Sequence, residues 1–134
     1  MQAAQFLLDR SVGGAKLVTR LREAGWDAAT LAEQFGDQRA QQMRDEEWIR
    51  EGTARGFILL SKDHRIALRP LEAEAVYVND ARLIAFARGD MTAETMGDLC
   101  IRYEASIFRL AVARAPFVFS LGQAGLKRKQ LHRP

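Results

Sequence analysis

One cysteine among 134 residues, Cys100, excludes an internal disulfide and fits a reducing compartment. Histidine is almost as scarce. His64 and His132 have no partner at a telling spacing, and Cys100 sits within an apolar helical stripe. The chain therefore shows no covalent nucleophile with a base beside it. No apolar run approaches the roughly 18–20 residues that a bilayer-spanning helix needs. Low-complexity segments and internal repeats are also absent. The opening residues, Met1-Gln2-Ala3-Ala4-Gln5, lack the basic and apolar regions of a signal peptide. The expectation is a cytoplasmic protein with no membrane contact.

What is present is the material of one globular domain: 134 residues, 48% of them apolar, enough to bury a real core. The net charge of +3 is unevenly spread. Lys127, Arg128, Lys129 and Arg133 stand in the last eight residues without an acid, which leaves the rest of the chain at about −1. The sequence divides into a domain over 1–122 and a basic C-terminal tail over 123–134. Such a tail can touch nucleic acid electrostatically or simply be a solvated, frayed end.

Apolar segments alternate with helical periodicity. Strands are expected at Ala4–Leu8, Trp26–Leu31, Phe57–Ser61, Leu83–Ala87 and Phe117–Leu121, with Tyr77-Val78 a weaker candidate. Phe57–Ser61 is an unbroken apolar run after a glycine, the pattern of a central parallel strand. Helices are expected at Ala15–Ala24, stopped by Gly25, and from an Asp45 N-cap to Arg55, stopped by Gly56. Gln38–Met43 reads as a short helix or turn, and Phe35-Gly36-Asp37 as a loop. Pro70 starts a further short helix through Ala75. The longest helix runs from a Thr92 N-cap to about Ala113, with Met96, Leu99, Cys100, Tyr103, Ile107, Leu110 and Ala111 along one face. That stripe is either core or a dimer face. The alternation implies an α/β fold with a mainly parallel sheet of 4–5 strands and helices on both faces.

Three aspartates stand where such a fold puts its chemistry. Asp9 follows Phe6-Leu7-Leu8, and Asp63 follows the Phe57–Lys62 segment. Asp45 opens a helix, with Glu46 and Glu47 in its first turn. If the two apolar runs are neighbouring parallel strands, Asp9 and Asp63 leave the sheet at the same edge, where open α/β sheets bind ligands. Clustered carboxylates repel unless positive charge lies between them. Oxygen-only acidic clusters suit Mg²⁺ or Mn²⁺, which can promote phosphodiester hydrolysis. The plainer reading is that each aspartate caps a turn or a helix.

The segments Phe6-Leu7-Leu8-Asp9-Arg10-Ser11-Val12-Gly13-Gly14, Arg44-Asp45-Glu46-Glu47-Trp48-Ile49 and Ile58-Leu59-Leu60-Ser61-Lys62-Asp63-His64-Arg65-Ile66 resemble the PIN-like domain superfamily, in its small VapC-type toxin branch. The resemblance covers about residues 4–121. It implies a Mg²⁺- or Mn²⁺-dependent endoribonuclease, the toxin of a type II toxin–antitoxin pair, acting on RNA and neutralised by a cognate antitoxin protein. It carries over Asp9, Asp45 and Asp63 as catalytic metal ligands. The chain has Asp9-Arg10-Ser11 where related short domains often have Asp-Glu-Asn, and Ser61-Lys62-Asp63-His64-Arg65 where they often have Asp-x-Asp-Phe. For the fourth acid of many such nucleases Glu46 is the nearest candidate, followed by Asp80 and Asp98.

Other residues have two readings. Arg10, Lys62 and Arg65 can hold substrate phosphates or neutralise the acids as surface charges. Ser11 can contact a phosphate or act as a turn hydroxyl. Gly13-Gly14 can admit a phosphate to a helix N-terminus or form a plain turn. Trp48 reads as core. Two competing functions remain open on the residues alone. One is a non-catalytic RNA- or protein-binding module. The other is a phosphatase or receiver-like domain, although no adjacent acidic pair follows the first strand.

Overall fold

The computed structural model describes residues 4–10, 12 and 14–131. Ser11, Gly13, His132 and Arg133, all named above, lie outside the described residues.

Six strands form one sheet: β1 (Gln5–Leu8), β2 (Asp27–Thr30), β3 (Ile58–Ser61), β4 (Arg82–Phe86), β5 (Phe117–Gly122) and β6 (Gly125–Lys129). Their spatial order is β2-β1-β3-β4-β5-β6. All neighbours are parallel except β5 and β6, which pair antiparallel. The helices are α1 (Gly14–Glu23), α2 (Leu31–Phe35), α3 (Asp37–Gln42), α4 (Asp45–Ala54), α5 (Pro70–Val78), α6 (Ala93–Arg102) and α7 (Glu104–Leu110).

The unbroken apolar runs are explained by burial on both faces. Successive residues of a strand point to opposite sides. Phe6, Leu8, Ile58, Leu60, Ile84 and Phe86 therefore pack with α1, α6 and α7, while Leu7, Leu59, Leu83 and Ala85 pack with α3, α4 and α5. α4 lies especially close to the sheet. A Cβ added at Gly52 would stand 2.7 Å from Leu7 Cδ2 and 2.8 Å from Leu59 Cδ2, so only glycine admits this approach. The stripe on α6 and α7 is core: Met96, Leu99, Cys100 and Ile107 are buried.

Several expectations change. The sheet has six strands rather than 4–5, because residues 125–129, read as tail, form an edge strand. A turn at Gly122–Gly125, where Gly125 has φ +102°, folds them back on β5. The helix expected over 93–113 breaks at Tyr103, whose hydroxyl donates to the Gln123 carbonyl at 2.5 Å. Tyr77-Val78 ends α5 instead of forming a strand. α2 was unexpected, and it overlaps the end of the anticipated second strand. Its Thr30 side chain accepts from Glu33 N, and Glu33 reaches back to Thr30 N. Asp45 is the first residue of α4, and Arg44 is its N-cap.

Among the described residues no helix is long and apolar enough to cross a membrane.

Candidate functional site

The chain passes from β1 outward to β2, then returns beyond β1 to build β3, β4 and β5. The order therefore reverses between β1 and β3, and the crevice outside their C-terminal ends is the topological switch point. Asp9 leaves β1 there, and its main-chain N–H donates to Leu60 O at 3.0 Å, extending the pairing past the strand. Ser61 and Asp63 leave β3 beside it.

One hydroxyl ties the two exits together. Ser61 Oγ donates to Asp9 Oδ2 at 2.7 Å and accepts from Asp63 N at 3.0 Å. Ser61 is fully buried and Asp9 is 8% exposed, and among the described residues they are the polar side chains that are buried. A buried carboxylate costs several kcal/mol unless it is satisfied, so this bond holds Asp9 in place as well as stabilising it.

Asp63 is held from both sides. Its Oδ1 accepts from Arg65 N at 3.0 Å, and its Oδ2 accepts from the Arg69 guanidinium. Asp45 enters the same cleft from the start of α4. Its Oδ1 accepts from Trp48 Nε1 at 3.0 Å, and its Oδ2 lies 4.0 Å from the same Arg69 nitrogen. Trp48 is buried, so its ring is core while its N–H orients the acid.

Asp9, Asp45 and Asp63 line one cleft of about 370 Å³, with Arg10, Leu31, Met43, Trp48, Lys62 and Gly89. The sequence-based set thus divides. Lys62 lines the cleft without an acid paired to its ammonium among the described residues. Arg10 also lines it, with its guanidinium donating to Gln41 O. Arg65 contributes its main-chain N–H to Asp63 but is not among the lining residues. Glu46 shares the first turn of α4 but not the cleft lining. Asp98 pairs with Arg20 at 2.9 Å, and Asp80 lies in the turn before β4, at the sheet's other edge. Cys100 has no part in the chemistry: burial pushes its thiol up to about 12, opposed by the nearby Arg20 charge, so it stays protonated.

Sequence reasoning missed Arg69. It precedes Pro70 at the start of α5, and nothing in its local pattern points to acids six and twenty-four positions earlier. The donor types in the cleft are those a hard divalent cation takes. Yet among the described residues no three acidic, histidine or cysteine side chains gather closely enough to hold one ion. Positive charge between Asp45 and Asp63 comes from Arg69 instead.

Residues 4–88 match the sequence model of the family described as "PIN like domain", a span that includes every acid in the cleft and Arg69. The protein named "Putative ribonuclease VapC45" from Mycobacterium tuberculosis is 31% identical over 121 residues, covering 90% of this chain and 88% of that protein. No solved structure matches the chain.

Proposed function

The chain belongs to the PIN-like domain superfamily, in its VapC-type branch, and we propose that it is a Mg²⁺- or Mn²⁺-dependent endoribonuclease, the toxin of a type II toxin–antitoxin pair. The observation that carries the reading is the meeting of Asp9, Asp45 and Asp63 in one cleft at the switch point of the sheet. The name of the Mycobacterium tuberculosis relative supports RNA as the substrate class.

In this reading Asp9, Asp45 and Asp63 supply the carboxylates of the cleft, and the cation would be held by one or two of them with waters and substrate phosphate. A bound Mg²⁺ or Mn²⁺ would polarise the phosphoryl oxygen and lower the pKa of an attacking water. The remaining work falls to the chain. Ser61 keeps Asp9 aimed into the cleft. Lys62 offers its ammonium to the scissile phosphate, while Arg10, Ser11 and Arg65 steady the flanking RNA. Glu46 is a reserve ligand one residue from Asp45. The partner is a cognate antitoxin protein, the site of action is the cytoplasm, and a homodimer is a further expectation.

A second reading, a non-catalytic RNA- or protein-binding module, draws on one observation: among the described residues no three acids gather closely enough to hold one ion together. One experiment separates the two. The purified chain is incubated with structured and unstructured RNA in Mg²⁺, Mn²⁺ or EDTA, beside Asp63→Asn. The nuclease reading expects cation-dependent cleavage that falls at least ~100-fold in the variant. Folded, inhibitor-free protein that cleaves no RNA under any condition favours the module.

A further inference from the structure

Asp45 and Asp63 line the same cleft, and the Arg69 guanidinium lies against both. We propose that Arg69 is a displaceable counter-ion, which occupies the position a divalent cation would take between Asp45 and Asp63 and thereby sets the cation affinity of the cleft. The proposal rests on the cation-binding reading above.

The geometry suits an exchange. Main-chain bonds hold the acids: Asp9 N to Leu60 O, and Asp63 N to the Ser61 hydroxyl that also bonds Asp9. These bonds fix the two strand exits, while Asp45 is positioned separately, by the Trp48 N–H that its carboxylate accepts. Arg69 is anchored differently. Its backbone caps α5, with Ala73 N donating to Arg69 O at 2.8 Å and Pro70 in the first turn. Its guanidinium is joined to that anchor by a flexible stem. The Arg69 side chain is 47% exposed, against 22% for Asp63 and 37% for Asp45, so it has solvent to swing into.

Exchange replaces one positive charge with two and leaves the acids where they are. Loss of the two Arg69 contacts opposes cation binding, and rehydration of the freed guanidinium partly offsets that loss. Half-exposed ion pairs are individually weak, so the expected penalty is modest and readable as affinity.

The test is Mn²⁺ binding to the full chain, stripped with EDTA and dialysed, measured by calorimetry or by loss of the free Mn²⁺ paramagnetic signal. The set is the parent, Arg69→Gln, Arg69→Lys and Asp63→Asn. Arg69→Gln is expected to bind Mn²⁺ roughly tenfold more tightly than the parent. Arg69→Lys should fall between them, because a lysine remains cationic but lacks the planar guanidinium that lies against both acids. Thermal melting supplies a readout independent of activity: metal-free Arg69→Gln should melt below the parent, and Mn²⁺ should raise its midpoint by more. Equal or weaker binding in Arg69→Gln, with binding lost in Asp63→Asn, would overturn the counter-ion role and leave the cation site standing. Absence of Mn²⁺ binding in every variant would overturn both.

Discussion

The sheet carries charge at two places, and they are built in opposite ways. At the β1–β3 exit, acids converge, partly buried, each tied to a specific donor. At the other flank, β6 spreads Lys127, Arg128 and Lys129 along an edge strand, with Lys127 and Arg128 exposed and Arg128 lying over the Phe119 ring at 5.7 Å. Gathering like charges costs energy, and the Ser61, Trp48 and Arg69 donors offset part of it. Lysines on an exposed edge cost little and discourage pairing with another chain's strand. Concentrated, costly charge is therefore the better guide to function here, although the basic segment is more conspicuous in the sequence.

That contrast can be broken most directly by cleavage. Asp63→Asn should lose at least ~100-fold of cation-dependent RNA cleavage. The triple variant Lys127→Gln, Arg128→Gln, Lys129→Gln should stay within about threefold of the parent at 0.15 M salt, where exposed charges are screened. Equal losses in both variants would make β6 part of the working surface. The Arg69→Gln comparison comes next in size, with its roughly tenfold gain in Mn²⁺ affinity.

A finer distinction concerns how the acids are held. Ser61→Ala removes the hydroxyl shared by Asp9 and Asp63 and should destabilise the fold by about 1–3 kcal/mol, as expected when a buried polar group loses its partner. Urea unfolding checks this. A change near zero would mean that water replaces the hydroxyl.

The smallest effect is at the surface pair of Arg22 and Glu33. The Arg22 hydrogen bond, with a second from Thr30 N, holds the Glu33 carboxyl below its ordinary 4.5. Because the folded value is depressed, the contribution is present above pH 4.5 and fades as pH falls through the lower folded value. Glu33→Gln should therefore cost about 0.5 kcal/mol at pH 7 and less at pH 3. A loss that is the same at both pH values would place the effect in the cap geometry alone.

Much of this architecture was legible from local pattern. Phe57–Ser61 reads as a central strand because burial on both faces requires an unbroken apolar run. Thr92 reads as an N-cap because its hydroxyl satisfies the Thr95 N–H, at 3.1 Å in the structure. α2 was legible in principle, since Thr30-x-x-Glu33 is a capping-box pattern, but it directly follows strand residues and was absorbed into them. The break at Tyr103 was not legible. The helical period runs on through it, and the partner that the Tyr103 hydroxyl finds lies twenty residues away at Gln123. β6 was hidden for a similar reason: its residues look like a charged tail until β5 offers them a partner.

Local pattern specifies the layered α/β class, the parallel strands and the exits of Asp9 and Asp63, because apolar periodicity and glycine stops act through neighbours along the chain. Tertiary structure alone decided which strands adjoin, and so that Asp9 and Asp63 share an edge. It also decided that Asp45 faces them, that Ser61 links two of the acids and that Arg69 supplies the charge between Asp45 and Asp63. Those relations join groups up to about fifty residues apart, from Asp9 to Ser61, and exist only once burial of the sheet brings the strand ends together.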